Sequence, residues 1–251
     1  MTQLQQFNYT IRLADDALIL GQRLSEWCGH GPILEEDIAL ANIALDYIGQ
    51  ATNLYKQASL LDDQKRDEDA LALTRMEQEY NNILMLELPN GDYAATIIRQ
   101  YYYSSFYLLF LDNLKTSNDS FLSGFAEKSI KELRYHVQHA TDWVKRMGDG
   151  TEESHKRIQE AANQLWPYLG EMFGMDALEN ELASSGYAVD RSSLVEDWKK
   201  QCTALFDEAT LAMPTEAWHH KGGREGRHTE HMGFLLAEMQ FMQRAYPGAK
   251  W

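Results

Sequence analysis

The sequence predicts an all-α protein built on a four-helix bundle, with additional helices towards its C-terminal end. Three observations support this fold class. Apolar residues recur at intervals of three and four over long segments, as at Leu133, Val137 and Ala140, which is the spacing of an amphipathic helix. No segment shows the sustained alternation of a strand. Four of the five prolines fall where the periodicity stops, as expected at helix ends.

Four long helices carry the predicted bundle, and short turns join them in pairs. A tight turn at 28–32, rich in glycine and closed by proline, separates the first helix from the second. A polar turn at 115–120 separates the third from the fourth. The predicted helices cover about 10–28, 33–61, 93–116 and 119–147.

The connection between the second and third helices is long, about 62–92, and contains a predicted short helix around 70–86. Two long hairpins separated by a long crossover are typical of ferritin-like connectivity. Further helices are predicted near 151–173, with a kink at Pro167, and also near 191–210 and 228–246. We expect one ferritin-like domain over 1–251, with a core bundle at about 10–147 and accessory helices at about 151–246.

Charge and composition exclude several classes of function. The 251 residues include 38 acidic and 23 basic side chains, a formal net charge of -15. A chain of this charge repels polyanions, so neither nucleic acid nor an anionic membrane surface is expected as a partner. The N-terminal residues show neither a basic region nor an apolar run of a signal peptide. Two cysteines without metal or redox spacing fit reduced thiols, so the expected location is the cytoplasm.

The inward positions of the bundle can be tested for a metal centre. Ferritin-like di-iron bundles take one carboxylate from each of two helices and a Glu-x-x-His from each of the other two. With 100° per residue, the inward frames on the second and fourth helices are Tyr47 with Gln50 and Leu133 with His136. Three of these four expected ligands are therefore absent.

The remaining two helices can be examined by mirroring across the hairpin turns. Asp16 lies near the level of Tyr47, and Ser104 lies opposite Leu133. Ser104 is a poor iron ligand, and a di-iron centre needs several anionic oxygens. The sequence therefore predicts vacant ligand positions at Tyr47, Gln50, Ser104 and Leu133, with His136 as the residual ligand type.

Two interpretations of His136 remain open. The first is a core histidine that bonds a neighbour such as Glu132. The second is an unusual metal set formed by Asp16, Glu26, Glu132 and His136.

Five stretches of the sequence resemble the non-catalytic subunits of bacterial phenylacetyl-CoA epoxidases, a ferritin-like family of phenylacetate degradation. The resemblance spans nearly the whole chain, and its C-terminal motif is the most specific. The stretches are RLSEWCGH at 23–30, DIALANIALD at 37–46, LPNG at 88–91, KELRYH at 131–136 and RHTEHMGFLLAEMQ at 227–240.

The resemblance implies a non-catalytic, structural subunit of a multicomponent mono-oxygenase. In that family a PaaA-type sister chain holds the di-iron site and forms the epoxide on the ring of phenylacetyl-CoA. The implied partners are this catalytic chain and the other components of the complex, with phenylacetyl-CoA contacted at most indirectly. The chain itself is expected to hold no cofactor and no catalytic residue.

The segment 221–227 is a basic, glycine-rich island in an acidic chain. Arg224 and Arg227 near a helix start are candidates for a phosphate or CoA contact, whereas the alternative is a loop whose glycines serve turn geometry. The pair His228 and His231 has a spacing that can chelate metal, although helix capping by His228 or Thr229 explains the motif as well. As the complement of acidic patches, residues 221–246 are expected to form part of a contact with the catalytic partner.

Two alternative functions stay open. One is a ferritin-like enzyme that acts alone with an unusual metal set. The other is a stand-alone protein that binds a CoA ester or a metal ion at 221–231.

Overall fold

A computed structural model describes residues 1–215 and 219–249. Two units share the chain: Met1–Pro89 together with Lys221–Trp251 forms the first, and Asn90–His220 forms the second. No strand occurs among the described residues. None of the helices described is long and apolar enough to cross a bilayer. The predicted all-α class is confirmed, and its two long hairpins fit the ferritin-like class.

Helices of very different length make up the chain. The α-helices, in chain order, are α1 Gln3–Ser25, α2 Leu34–Leu61, α3 Glu68–Leu73, α4 Leu84–Glu87, α5 Tyr93–Leu114, α6 Ser120–Gly148, α7 Glu152–Leu165, α8 Gly170–Phe173, α9 Ala177–Ser184, α10 Val195–Glu208, α11 His231–Met239 and α12 Phe241–Ala245.

The first unit is organised around the antiparallel hairpin of α1 and α2. The turn between them needs glycine at two places, because Gly29 has a φ of +80° and a Cβ on Gly31 would lie 2.7 Å from Asp37. The Asp37 carboxylate accepts the Gly31 amide at 3.0 Å, which ties the turn to the first residues of α2. The short helices α3, α4, α11 and α12 belong to the same unit.

The second unit is organised around the hairpin of α5 and α6, with α7 and α10 packed on it. Asp92 and Asp119 cap the N-termini of α5 and α6 by accepting main-chain amides. Tyr102 of α5 lies within 6.2 Å, between ring centroids, of Trp166, Trp198 and Phe206. These aromatic contacts hold the accessory helices on α5 and bury a second face of that helix.

Three of the four long helices lie close to their predicted ranges, but two accessory predictions were wrong in detail. The single helix expected around 70–86 is instead α3, a 3₁₀ turn at Glu77–Glu79 and α4. The helix expected at 228–246 starts at His231 and is interrupted at Gln240. The α9 helix was not predicted. The expected break at Pro167 is confirmed, because a 3₁₀ turn, Trp166–Tyr168, follows α7.

The first helix also begins earlier than predicted, at Gln3 rather than near residue 10. Thr2 and Gln5 form a reciprocal capping box that satisfies free amides of the first turn. The prediction of a single domain over 1–251 stays a prediction.

Candidate functional site

The side chains at the predicted ligand positions are all buried. Tyr47 and Gln50 lie on α2 with exposed fractions of 0% and 3%. Ser104 of α5 and Leu133 and His136 of α6 are each 0% exposed. The first two of these residues belong to one unit and the other three to the second, and their orientation towards a common metal site stays a prediction.

This set of donors does not fit a di-iron centre. A tyrosine, a carboxamide, a serine and a leucine stand where carboxylates and histidines would be needed to neutralise two buried iron ions. No group of three or more His, Cys, Asp or Glu side chains in the described ranges could hold a metal ion. The absence of a resident cofactor stays a prediction.

Three of the carboxylates that the first unit buries share one hydrogen-bond network: Asp15, Asp16 and Glu87, here called the carboxylate cluster. Their exposed fractions are 0%, 3% and 0%. Three consecutive residues, 81–83, donate hydrogen bonds to these carboxylates. The Asn81 amide donates to Asp15, the Asn82 side chain to Glu87 and the Ile83 amide to Asp16, so the cluster is one continuous network. Since an uncompensated buried charge is very costly, each carboxylate requires a cation.

Arg75 is the cation for Asp15. Its guanidinium forms an ion pair with the carboxylate and lies 4.0 Å from the ring centroid of Tyr80. The Tyr55 hydroxyl donates to Asp15 at 2.5 Å, and the Asn81 amide donates at 2.8 Å. Burial, followed by the charge of Asp15, raises the pKa of Tyr55 well above its usual range. Tyr55 is therefore a fixed hydrogen-bond donor here.

Arg224 is the cation for Asp16. Its two terminal nitrogens bond the two carboxylate oxygens at 2.7 and 3.1 Å, which is a bidentate arrangement. The Ile83 amide donates to the same carboxylate at 2.8 Å, and Arg224 also donates to the Asn81 carbonyl at 2.6 Å. Asp16, one of the candidate metal ligands, is thus bonded within the protein.

His228 is the cation for Glu87. Its Nδ1 lies 2.7 Å from the Glu87 carboxylate and its Nε2 lies 3.0 Å from the Tyr80 carbonyl, so both ring nitrogens face acceptors. Only the imidazolium can donate both bonds. Burial lowers the pKa of His228, but the hydrogen bond and charge of Glu87 outweigh it, so the pKa is raised above 6.5.

Two further donors complete the binding of Glu87. The Thr229 amide donates to the carboxylate at 2.6 Å, and the Asn82 side chain donates at 2.8 Å. Arg23 donates from its Nε to the Glu87 carbonyl at 2.9 Å. The cluster is therefore closed, and two of its three cations come from the C-terminal segment of the chain.

The glycine-rich island lies directly on main chain from a distant part of the first unit. A Cβ on Gly223 would lie 2.1 Å from the Asn82 carbonyl oxygen, and one on Gly226 would lie 2.2 Å from that of Gln78. These glycines are needed for close approach of two backbones. Their presence in the sequence therefore has a structural explanation that requires no ligand.

The two arginines of the island have different surroundings. The Arg224 side chain is 12% exposed and serves Asp16, whereas Arg227 is 66% exposed and pairs with Glu225. A phosphate or CoA contact at Arg224 and Arg227 stays a prediction, and for Arg224 it would compete with the bonds to Asp16. Glu230 is the N-cap residue of α11 and makes no side-chain capping bond, whereas the Thr229 hydroxyl accepts the His231 amide at 3.4 Å.

The residues of the alternative metal set belong to different units. Asp16 and Glu26 lie in the first unit, and Glu132 and His136 lie in the second. Glu26 pairs with Arg23 at 2.8 Å. Sequence reasoning missed Asp15, Arg75 and Glu87 as buried charges. A signal was present for Asp15, since adjacent acids within the apolar face of α1 require internal cations.

Two cavities lie in the second unit, away from the predicted site residues. One, of about 190 Å³, is bounded mainly by aromatic side chains, including Trp166, Phe173 and Trp198. The other, of about 240 Å³, lies beside the turn that joins α5 to α6 and includes Ser117 and Asp190. Neither is lined by a residue of the carboxylate cluster or of the ligand positions.

Comparison with known proteins extends over the whole chain. The family model described as phenylacetic acid catabolic protein matches residues 1–251. The C subunit of 1,2-phenylacetyl-CoA epoxidase from Escherichia coli strain K12 is 45% identical over 243 residues, which are 97% of this chain and 98% of that protein. The resemblance inferred from the five sequence stretches is confirmed.

Proposed function

Because the chain belongs to the family of phenylacetic acid catabolic proteins, we propose that it is the non-catalytic subunit of a phenylacetyl-CoA epoxidase complex. Its similarity to a protein named as one subunit of that epoxidase supports a role within a multisubunit enzyme. In this proposal the chain binds and orders a homologous PaaA-type subunit, and it takes part in phenylacetate catabolism in the cytoplasm.

The observation that carries the non-catalytic assignment is the chemistry of the buried positions. Neither a carboxylate nor an imidazole, the ligands of ferritin-like di-iron bundles, stands at the positions of Tyr47, Gln50, Ser104 and Leu133. The three carboxylates of the carboxylate cluster are neutralised by Arg75, Arg224 and His228. A reactive metal centre needs several anionic ligands and open coordination positions on the metal. The buried ligand positions supply no carboxylate, and the carboxylates of the cluster are already bonded within the protein.

The reaction is therefore assigned to the partner. Oxygen and reducing equivalents would convert the aromatic ring of phenylacetyl-CoA into a 1,2-epoxide at the partner's di-iron site. This chain would contribute binding surface and the conformational order of the catalytic bundle, and none of its residues would contact the reacting atoms.

Co-expression with a PaaA-type homologue from the same genome tests the proposal. We expect a stable complex that buries more than roughly 2,000 Å² in total, as obligate complexes do. Epoxidation in the presence of the other components should require both chains, with iron found in the partner. Activity and stoichiometric iron in this chain alone would instead support an independent ferritin-like enzyme.

A separate measurement addresses the stand-alone CoA-ester protein. Thermal unfolding of the isolated chain is followed with CoA, inorganic phosphate and zinc ions in turn. The proposed function expects no shift in the midpoint with any of them. A shift that disappears in Arg227→Ala would assign an anion-binding role to 221–231, and a zinc shift that disappears in His231→Gln would assign a metal-binding role.

A further inference from the structure

The outer face of α2 exposes several large aliphatic side chains. Leu34, Ile38 and Leu45 are 72%, 52% and 64% exposed, and Ile33, directly before the helix, is 52% exposed. Along α5, α7 and α10 the structure exposes no comparable side chain. Scattered single apolar residues on a surface are ordinary, but a run of them along one helix marks an interaction site.

These residues form a regular seam. Leu34, Ile38, Ala41 and Leu45 follow one another at intervals of four, three and four, which is the spacing of a coiled-coil interface. At 100° per residue the four lie within about 60° of one another around the helix. The line continues to Gly49, where an added Cβ would meet no atom within 4 Å. We call Leu34, Ile38, Ala41 and Leu45 the α2 seam.

The charges around the seam are of one sign. Glu35 and Asp37 flank its first turn and Asp46 flanks its end, whereas no Lys or Arg occurs between Arg23 and Lys56. A second copy of this helix would bring acidic flanks together in a chain of net charge -15. The complementary surface is a helix with its own apolar seam and Lys or Arg beside it.

The size of the patch fits the centre of an interface rather than a whole one. Three side chains more than half exposed, together with Ile33, present on the order of 400 Å² of apolar surface. A stable complex buries about 800 Å² on each partner, with an apolar centre and a polar rim. The α2 seam and its acidic flanks together match that arrangement.

We propose that the α2 seam is the docking site for one amphipathic helix of the catalytic partner subunit, with Lys or Arg flanking its apolar side chains. This inference rests on the proposed function, because that function supplies the partner. It adds a contact to the one expected at 221–246, where Arg224 is bonded to Asp16 but Phe234 and Phe241 are 76% and 59% exposed.

The test uses the full-length chain co-expressed with its PaaA-type partner. Ile38→Asp and Leu45→Asp place a charge in the seam, and each is expected to weaken association about tenfold or more. Leu60→Asp is the matched control, since Leu60 is 74% exposed on the same helix but lies about 22 Å beyond Leu45 along the axis. It should leave the dissociation constant unchanged. Circular dichroism of the isolated chains checks that every variant keeps its fold.

Glu35→Lys tests whether Lys or Arg flanks the partner helix. This variant should also weaken the complex, because it places a cation beside that basic flank.

Each outcome either supports or overturns the inference. Loss of the complex in both seam variants with retention in Leu60→Asp supports it. The inference fails if the seam variants bind as tightly as the wild type, or if Leu60→Asp loses binding to the same extent. It also fails if the isolated wild-type chain is a dimer that Ile38→Asp dissociates. If the wild-type chains never associate, the proposed function fails first.

Discussion

Arg224 binds Asp16 through both terminal guanidinium nitrogens, at 2.7 and 3.1 Å, although 208 residues separate them in the sequence. The Asp16 side chain is 4% exposed and that of Arg224 is 12% exposed. The sequence suggests a surface charge at Arg224, but this residue is the internal counterion of Asp16. The pair ties the C-terminal segment to α1.

Arg224→Ala should destabilise the chain strongly. Removing one partner of a buried ion pair leaves an uncompensated carboxylate, and the expected cost is about 3–5 kcal/mol. Arg227→Ala is the matched control, because Arg227 is 66% exposed and pairs only at the surface. Its effect should stay within about 0.5 kcal/mol. Urea unfolding of the two variants measures the difference, and similar losses in both would contradict the internal role of Arg224.

Stability should fall as the pH rises above about 6.5, the unperturbed value for histidine. Burial lowers the pKa of His228, but the hydrogen bond and charge of Glu87, with smaller contributions from the Tyr80 carbonyl and Glu77, raise it overall. A group with a raised folded-state pKa contributes stability that is complete below its unfolded pKa and is lost as the pH passes through its folded pKa. The measurement is the free energy of unfolding between pH 5.5 and 9.

His228→Gln should remove this part of the pH dependence, while the partly exposed His231 provides the control. If the dependence of the unfolding free energy on pH is unchanged in His228→Gln but flattened in His231→Gln, His228 is not the group responsible.

The purified chain should contain well under one iron per molecule after expression in iron-rich medium. The donors at the buried ligand positions do not match a di-iron ligand set, and the three carboxylates of the carboxylate cluster are already paired with cations. Elemental analysis tests this, and two irons per chain would disprove it. Leu133→Glu alone should not create a site, because Leu133 is 0% exposed. A lone buried carboxylate there costs on the order of several kcal/mol unless it is protonated.

Two glycine substitutions should have opposite effects. In Gly223→Ala the new Cβ would lie 2.1 Å from the Asn82 carbonyl oxygen, so the backbones must separate, at a cost of about 1–3 kcal/mol or more. In Gly49→Ala the Cβ meets no atom within 4 Å on a helix, and a gain of about 0.5–1 kcal/mol is expected. Thermal unfolding compares the two. A neutral Gly223→Ala would show that the island does not lie against residue 82.

Much of the fold follows from local sequence. The bounds of α2, α5 and α6 agree with periodicity to within about two residues, because long amphipathic helices repeat their signal over many turns. The connection at 62–92 and the terminal segment were predicted less well. Their short helices are stabilised mainly by contacts with distant residues, and a four-residue helix such as α4 has almost no periodic signal of its own.

The sequence by itself determined the helical class and the two hairpins, since residue identity and a 3.6-residue period suffice for those inferences, and the vacancy of the ligand positions Tyr47, Gln50 and Leu133 stays a prediction. Only the tertiary structure decided which cation neutralises each buried acid. Asp16 and Arg224 become neighbours through long-range folding, and charge pairing at such separation leaves no periodic trace in the chain. For the same reason, the sequence could not show that Arg224 of the basic segment 221–227 is an internal counterion rather than a surface charge.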